Sequence, residues 1–210
     1  LGSLLLVSLV SLSSCRNVMY SAYETVGVYK RDLLKKRVVA ARDEEKGAQQ
    51  EFKDALTRLK ELSGFEGGAL EKRYRQLQSD YDDASSRVTA VHKRVQDVET
   101  VAGDLFAEWE KENGQIETES LRQVSRQQLS DTRARYAEML AALKKSEQSM
   151  DPVLRKFHDY VLALKHTLNA QAIAALGGES AKIQADISRL IEDMNASIAR
   201  ADEFIRQMPK

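Results

Sequence analysis

A single cysteine among 210 residues rules out any intrachain disulfide. With only two prolines there is little to interrupt a helix, so long helices are expected. Aromatic residues make up 6%, thin for a compact globule and ordinary for a narrow helical bundle. Neither sign of charge is in excess: 32 basic side chains balance 32 acidic ones. That balance argues against nucleic-acid binding, which needs a basic face to displace counterions from phosphate. The leading apolar stretch, Leu4 to Leu12, falls far short of the ~20 residues that span a bilayer.

The residues of familiar chemistry are missing too. His92, His158 and His166 are the only histidines, and neither His-Glu-x-x-His nor Glu-x-x-His occurs. His158 and His166 stand about two helical turns apart, too far to share an ion without other ligands. There is no Gly-x-Ser-x-Gly elbow, and Gly64–Gly68 lacks the Lys-Ser/Thr ending of a phosphate loop. Adjacent acids such as Asp82 and Asp83 sit on helices so charged that a solvated face explains them. No metal, catalytic residue or cofactor is therefore expected, apart from a covalent lipid, and the chain reads as no enzyme.

The lipid is expected on the lone cysteine. Residues 1–15 read LGSLLLVSLVSLSSC, an apolar core of signal-peptide size ending in Leu12-Ser13-Ser14-Cys15. This ending resembles the bacterial lipobox: an aliphatic residue, two small ones, then Cys. A thiol can be thioether-linked to diacylglycerol, and small neighbours admit a membrane peptidase to the Ser14–Cys15 bond. Residues 1–14 are then removed, 15–19 form a lipidated tether, and 20–210 form one elongated domain. Each buried CH₂ of the acyl chains adds roughly 0.8 kcal/mol to anchoring. No Met or basic segment precedes Leu1, so the natural start is expected further upstream. Arg16 rather than Asp follows the cysteine; by resemblance to enterobacterial lipoproteins, this favours the periplasmic leaflet of the outer membrane over the inner membrane.

The rest of the chain is patterned for helices. Leu34, Val38, Ala41, Glu45, Ala48, Phe52, Ala55, Leu59 and Leu62 follow four-three spacing, with Glu45 the one polar interruption in a helix expected from near Tyr20. The second seam runs without a miss from Leu70 to Trp109 and ends at Asn113-Gly114. The third opens near Thr118 and runs Leu129, Thr132, Tyr136, Met139, Leu143, Ser146, Met150. Asp151-Pro152 predicts a kink or a break there, after which the stripe widens from Val153 through Leu164 and Leu168 to Ala175. Gly177-Gly178 predicts the last reversal, before a shorter fourth helix carrying Ile183, Ile187, Leu190, Met194, Ala201, Ile205 and Met208. No strand-like alternation occurs. The predicted fold is all-α: an elongated antiparallel coiled-coil-like bundle, three helices thick near the membrane and four further out.

Several strings resemble one family. Tyr23-Glu24-Thr25-Val26-Gly27-Val28-Tyr29-Lys30-Arg31-Asp32, Gly64-Phe65-Glu66-Gly67-Gly68, Leu105-Phe106-Ala107-Glu108-Trp109-Glu110 and Leu164-Lys165-His166-Thr167-Leu168-Asn169-Ala170 resemble an uncharacterised bacterial family, domain of unknown function 2959, in the same order. The resemblance implies a helical, often lipobox-bearing envelope protein of Gram-negative bacteria and transfers no catalytic residue.

Three features invite a functional reading. Lys30, Arg31, Lys35, Lys36 and Arg37 could touch anionic headgroups near the anchor, although a solvated face explains them as well. Phe106 and Trp109, with Tyr20 and Tyr23, are expected to cluster at the membrane-proximal end, where plugging the bundle competes with resting at the interface. Lys165, His166, Asn169 and Gln171 interrupt an apolar run, as residues that fix register or as a partner site. The expected role is a tethered structural or interaction rod, held to the membrane by its lipid and engaging an envelope protein. The alternative is a peripheral lipid-binding or membrane-shaping protein. Self-association remains open.

Overall fold

The computed structural model describes residues 29–63, 70–166 and 170–208. Four helices fill them: α1 Lys30–Ser63, α2 Leu70–Asn113, α3 Glu119–His166 and α4 Ala170–Gln207. Among the described residues there is no strand. The first turn of α1 takes hold at Tyr29, whose carbonyl accepts from the Leu33 N–H; the expected start near Tyr20 lies outside the described residues.

The four-three positions become the core because this spacing returns to one face of a helix. In α1 every seam residue from Leu34 to Leu62 is buried, Glu45 included. In α2 the valines at 88, 91, 95 and 98 are all but sealed from solvent, while Tyr74, Tyr81 and Trp109 are partly covered. α1 packs on α2 and α4, and α3 packs on the same two, so the helices form a closed ring of antiparallel neighbours. Polar pairs set the register across each seam: Arg58 with Asp80 for α1–α2, Lys144 with Glu99 for α2–α3, Lys156 with Asp186 for α3–α4, and Arg42 with Asp202 for α4–α1. At Gly47 the Arg87 guanidinium lies where a Cβ would sit 3.3 Å away, close enough for Arg87 to reach Glu44 and Glu51.

Three expectations need correction. No break occurs at Pro152, which lies on the exposed side within α3. The residues after it, Val153, Leu154, Phe157 and Tyr160, are buried in the same cluster as Met150, so the core runs on past the proline. Gly177-Gly178 is not a reversal either, since both glycines lie inside α4. The third helix ends instead at His166 and the fourth begins at Ala170. The fourth helix is therefore long: at 38 residues it spans ~57 Å. Its last turn, with Phe204 and Met208, packs in one cluster with Leu33, Leu34, Leu105 and Leu129. The bundle is thus four helices thick nearly to the end where α1 begins, not three.

Candidate functional site

Ser14 and Cys15 lie outside the described residues, as do Tyr20 and Tyr23. The basic run opens α1, and successive residues turn ~100° around a helix, so its charges are dealt around the circumference rather than onto one face. Lys30 pairs with Glu108 and Arg37 with Asp97, both on α2, while Arg31 lies beside Asp32. Lys36 is exposed and Lys35 half-buried. Of the four residues expected to interrupt an apolar run, Lys165 and His166 close α3 exposed to solvent. They are not buried register residues, because the reversal that follows them ends the stripe they seemed to interrupt. Asn169 lies outside the described residues. Gln171 falls on α4, across the reversal from the first two.

The end where α1 begins has a protruding tip. α2 and α3 are joined through Asn113-Gly114, where the Gly114 N–H bonds the Glu110 carbonyl and a Cβ would press on the Lys111 carbonyl at 3.2 Å. Arg122 closes the far side of the turn by donating to the carbonyls of Ile116 and Glu117. Phe106 is buried against Tyr136, with Arg133 over its ring, so it plugs the bundle end. Trp109 is half-buried and donates its indole N–H to Ser125.

Beyond this plug, Leu121 and Val124 are 60% and 57% exposed, an unusual state for aliphatic side chains in a chain whose seams are so well covered. Heptad arithmetic shows where they point. Leu121 occupies the same heptad position as Lys156, and Val124 the same as Lys145. Those lysines reach Asp186 and Asp193 of α4. The two apolar residues therefore face the side of α3 that α4 covers lower down, past the last described turn of α4. A shallow cleft lined by Leu105, Trp109, Phe204 and Met208 continues the same surface. The sequence signal was an apolar pair three residues apart ahead of the seam.

A second cluster lies mid-bundle and is polar. Glu45 of α1, 1% exposed, accepts from the Ser197 hydroxyl of α4 at 2.8 Å. Burial pushes its carboxyl up to about 7, against the pull of the Ser146 and Ser197 hydroxyls. Ser146 Oγ lies near enough to favour the anion yet outside hydrogen-bond geometry, and Glu45 Oε1 is likewise buried without a hydrogen bond. Ser197 was legible: it fills the empty four-three position between Met194 and Ala201. One turn on, Gln49 donates to Asn195 at 2.9 Å and accepts from Lys53.

On the rim beside this layer, His92 of α2 sits between two carboxylates of α3, with Glu147 2.8 Å from Nδ1 and Asp151 3.2 Å from Nε2. Burial lowers the affinity of its ring for a proton, but the two carboxylates outweigh it and the pKa is raised. No periodicity could have revealed this group, which depends on the register between two helices. The carboxylates address opposite ring nitrogens, so they clamp the imidazole rather than surround an ion. Among the described residues no group of three His, Cys, Asp or Glu could hold a metal, and no helix is long and apolar enough to cross a membrane.

Residues 19–208 match the model of a family described as Protein of unknown function (DUF2959), in agreement with the strings that carry the resemblance. No curated protein matches the chain.

Proposed function

The chain belongs to the DUF2959 family, and we propose that it is a non-enzymatic, lipid-tethered rod of the bacterial envelope that engages a protein partner through its α2–α3 tip. The observation that carries this reading is the exposed pair Leu121 and Val124, on the flank of α3 that α4 covers elsewhere. An apolar stripe that outlasts its intramolecular neighbour is shaped to receive another helix with an apolar edge.

The tether supports the geometry. A lipid on Cys15 would lie fourteen residues before Tyr29, which stands at the tip end, 61% exposed. That length of chain reaches at most ~50 Å, so on this reading the tip works close to the periplasmic face of a membrane, the outer membrane by preference. Lipid binding through the basic run is less well supported, since Lys30 and Arg37 already have acidic partners on α2.

Photo-crosslinking in living cells from positions 121 and 124 tests the proposal. A discrete adduct, lost on Val124→Asp and absent from probes at exposed Lys93 on another face, is expected. Crosslinks only to lipid, or the same adducts from every surface position, would refute a protein-binding tip. A Cys15→Ser variant should lose metabolic palmitate labelling and leave the membrane fraction.

A further inference from the structure

Three of the four seams have a polar residue at one level: Glu45 on α1, Ser146 on α3 and Ser197 on α4. The neighbouring turn of α3, Glu147 to Asp151, is the one that His92 grips from α2. Pro152 follows directly and has no N–H, so the Gln148 carbonyl lacks its helical partner. The turn of α3 with the poorest backbone is thus held from outside by His92, and it adjoins the level at which Glu45 is buried.

We infer that α3 carries a proton-controlled hinge at Gln148–Pro152, held closed while Glu45 and His92 are protonated and released when both lose their protons. An ionised Glu45 would find two hydroxyls and no cation. The charged groups around its level are engaged with one another: Arg42 and Lys46 of α1 with Asp202 of α4, Lys144 of α3 with Glu99 of α2, and Lys145 of α3 with Asp193 of α4. None of them contributes to its titration. A carboxylate in that position demands water, and the adjoining turn of α3 is the one that already lacks a backbone bond. His92, facing Glu147 and Asp151, holds them as a cation and loses one of its two donor bonds when neutral.

The two titrations act in the same direction. Glu45 has a folded pKa of about 7 against 4.5 when free, so the closed form loses stability as pH rises between those values. The folded pKa of His92 is raised above 6.5, so its contribution is complete below 6.5 and disappears as pH climbs through the raised value. Closure is favoured in mild acid and weakened above neutrality.

Amide exchange of the full chain, read by mass spectrometry at pH 5.5 and 8.5 and corrected for intrinsic rates, tests the hinge. Peptides covering residues 143–156 should lose protection on the order of a hundredfold at the higher pH, while those from 52–62 of α1 and 70–84 of α2 keep theirs. The double variant Glu45→Gln/His92→Arg, uncharged in the core and permanently cationic on the rim, should stay protected at both values. Should that variant fail to fold, His92→Arg alone, at a half-exposed position, must still shrink the loss. Unchanged protection of 143–156 at pH 8.5, an equal loss in all four helices, or opening that persists in the folded variants would overturn the inference.

Discussion

Replacing Glu45 by glutamine tests whether an isolated carboxyl in the bundle centre destabilises the fold. Gln keeps the shape, can still accept from Ser197, and cannot ionise. In the folded protein the Glu45 carboxyl holds its proton up to about 7, against 4.5 when free, because burial at 1% exposure disfavours the anion. Each pH unit of such a difference corresponds to about 1.4 kcal/mol. Linkage then gives a cost of roughly 1 kcal/mol at pH 5, rising to ~3 kcal/mol at pH 8.5, where folded and unfolded forms are both ionised. The sign follows from which state binds more protons: between the two pKa values it is the folded one, so stability falls as pH rises. Glu45→Gln should therefore stabilise by roughly 1 kcal/mol at pH 5 and by ~3 kcal/mol at pH 8.5. Urea titrations at both pH values, followed by circular dichroism at 222 nm, provide the measurement, with an unchanged slope showing that the same surface unfolds. A variant less stable than the parent at pH 8.5, or one with the parent's pH dependence, would show that the carboxyl is solvated or paired in a way this geometry does not contain.

Two further substitutions concern the backbone. Pro152→Ala removes a proline from the exposed side of a helix interior, where it costs about 3 kcal/mol relative to Ala, of which roughly 1 is returned by the stiffer unfolded chain; a net gain of ~2 kcal/mol should appear as a higher urea midpoint. Gly177→Ala and Gly178→Ala add a Cβ that meets nothing within 4 Å inside α4, so each should stabilise by about 0.5–1 kcal/mol in the same titration; a loss at either position would put a left-handed turn back where the sequence suggested it.

The parts of this fold that were readable in the sequence are those that rest on helical period. Leu34 through Leu62, Ala84 through Leu105 and Ile183 through Met194 lie in the core where four-three spacing puts them, and Glu45 lies there too, as the one polar residue in its seam. Local signals misled where tertiary packing outweighed them. Gly177-Gly178 reads as a turn, yet Ile183 and Ser180 beyond it are buried and Leu176 before it packs on the same core, which is enough to keep the helix intact. Placing the reversal there extended the α3 stripe too far and made Lys165 and His166 look like polar residues in a core, when they end the helix in solvent. At Pro152 the sequence marked a weak turn and could not tell that Met150, Val153 and Phe157 enter one cluster from both sides of it. The clamp on His92 and the uncovered flank at Leu121 and Val124 depend on how far each helix runs beside its neighbour. That offset is a property of the assembled bundle, and no single seam records it.

The apolar interior comes in two pieces, one from Ala48 to Met194 towards the far turns and one from Leu33 to Met208 towards the tip, with the Glu45 level between them. Side chains in one piece have few neighbours in the other, so disturbance at either end decays at that boundary. Wear at the outer turns, such as a proteolytic nick, would then spare the packing around Trp109, and a pull on that end would strain only the nearer half of the shaft.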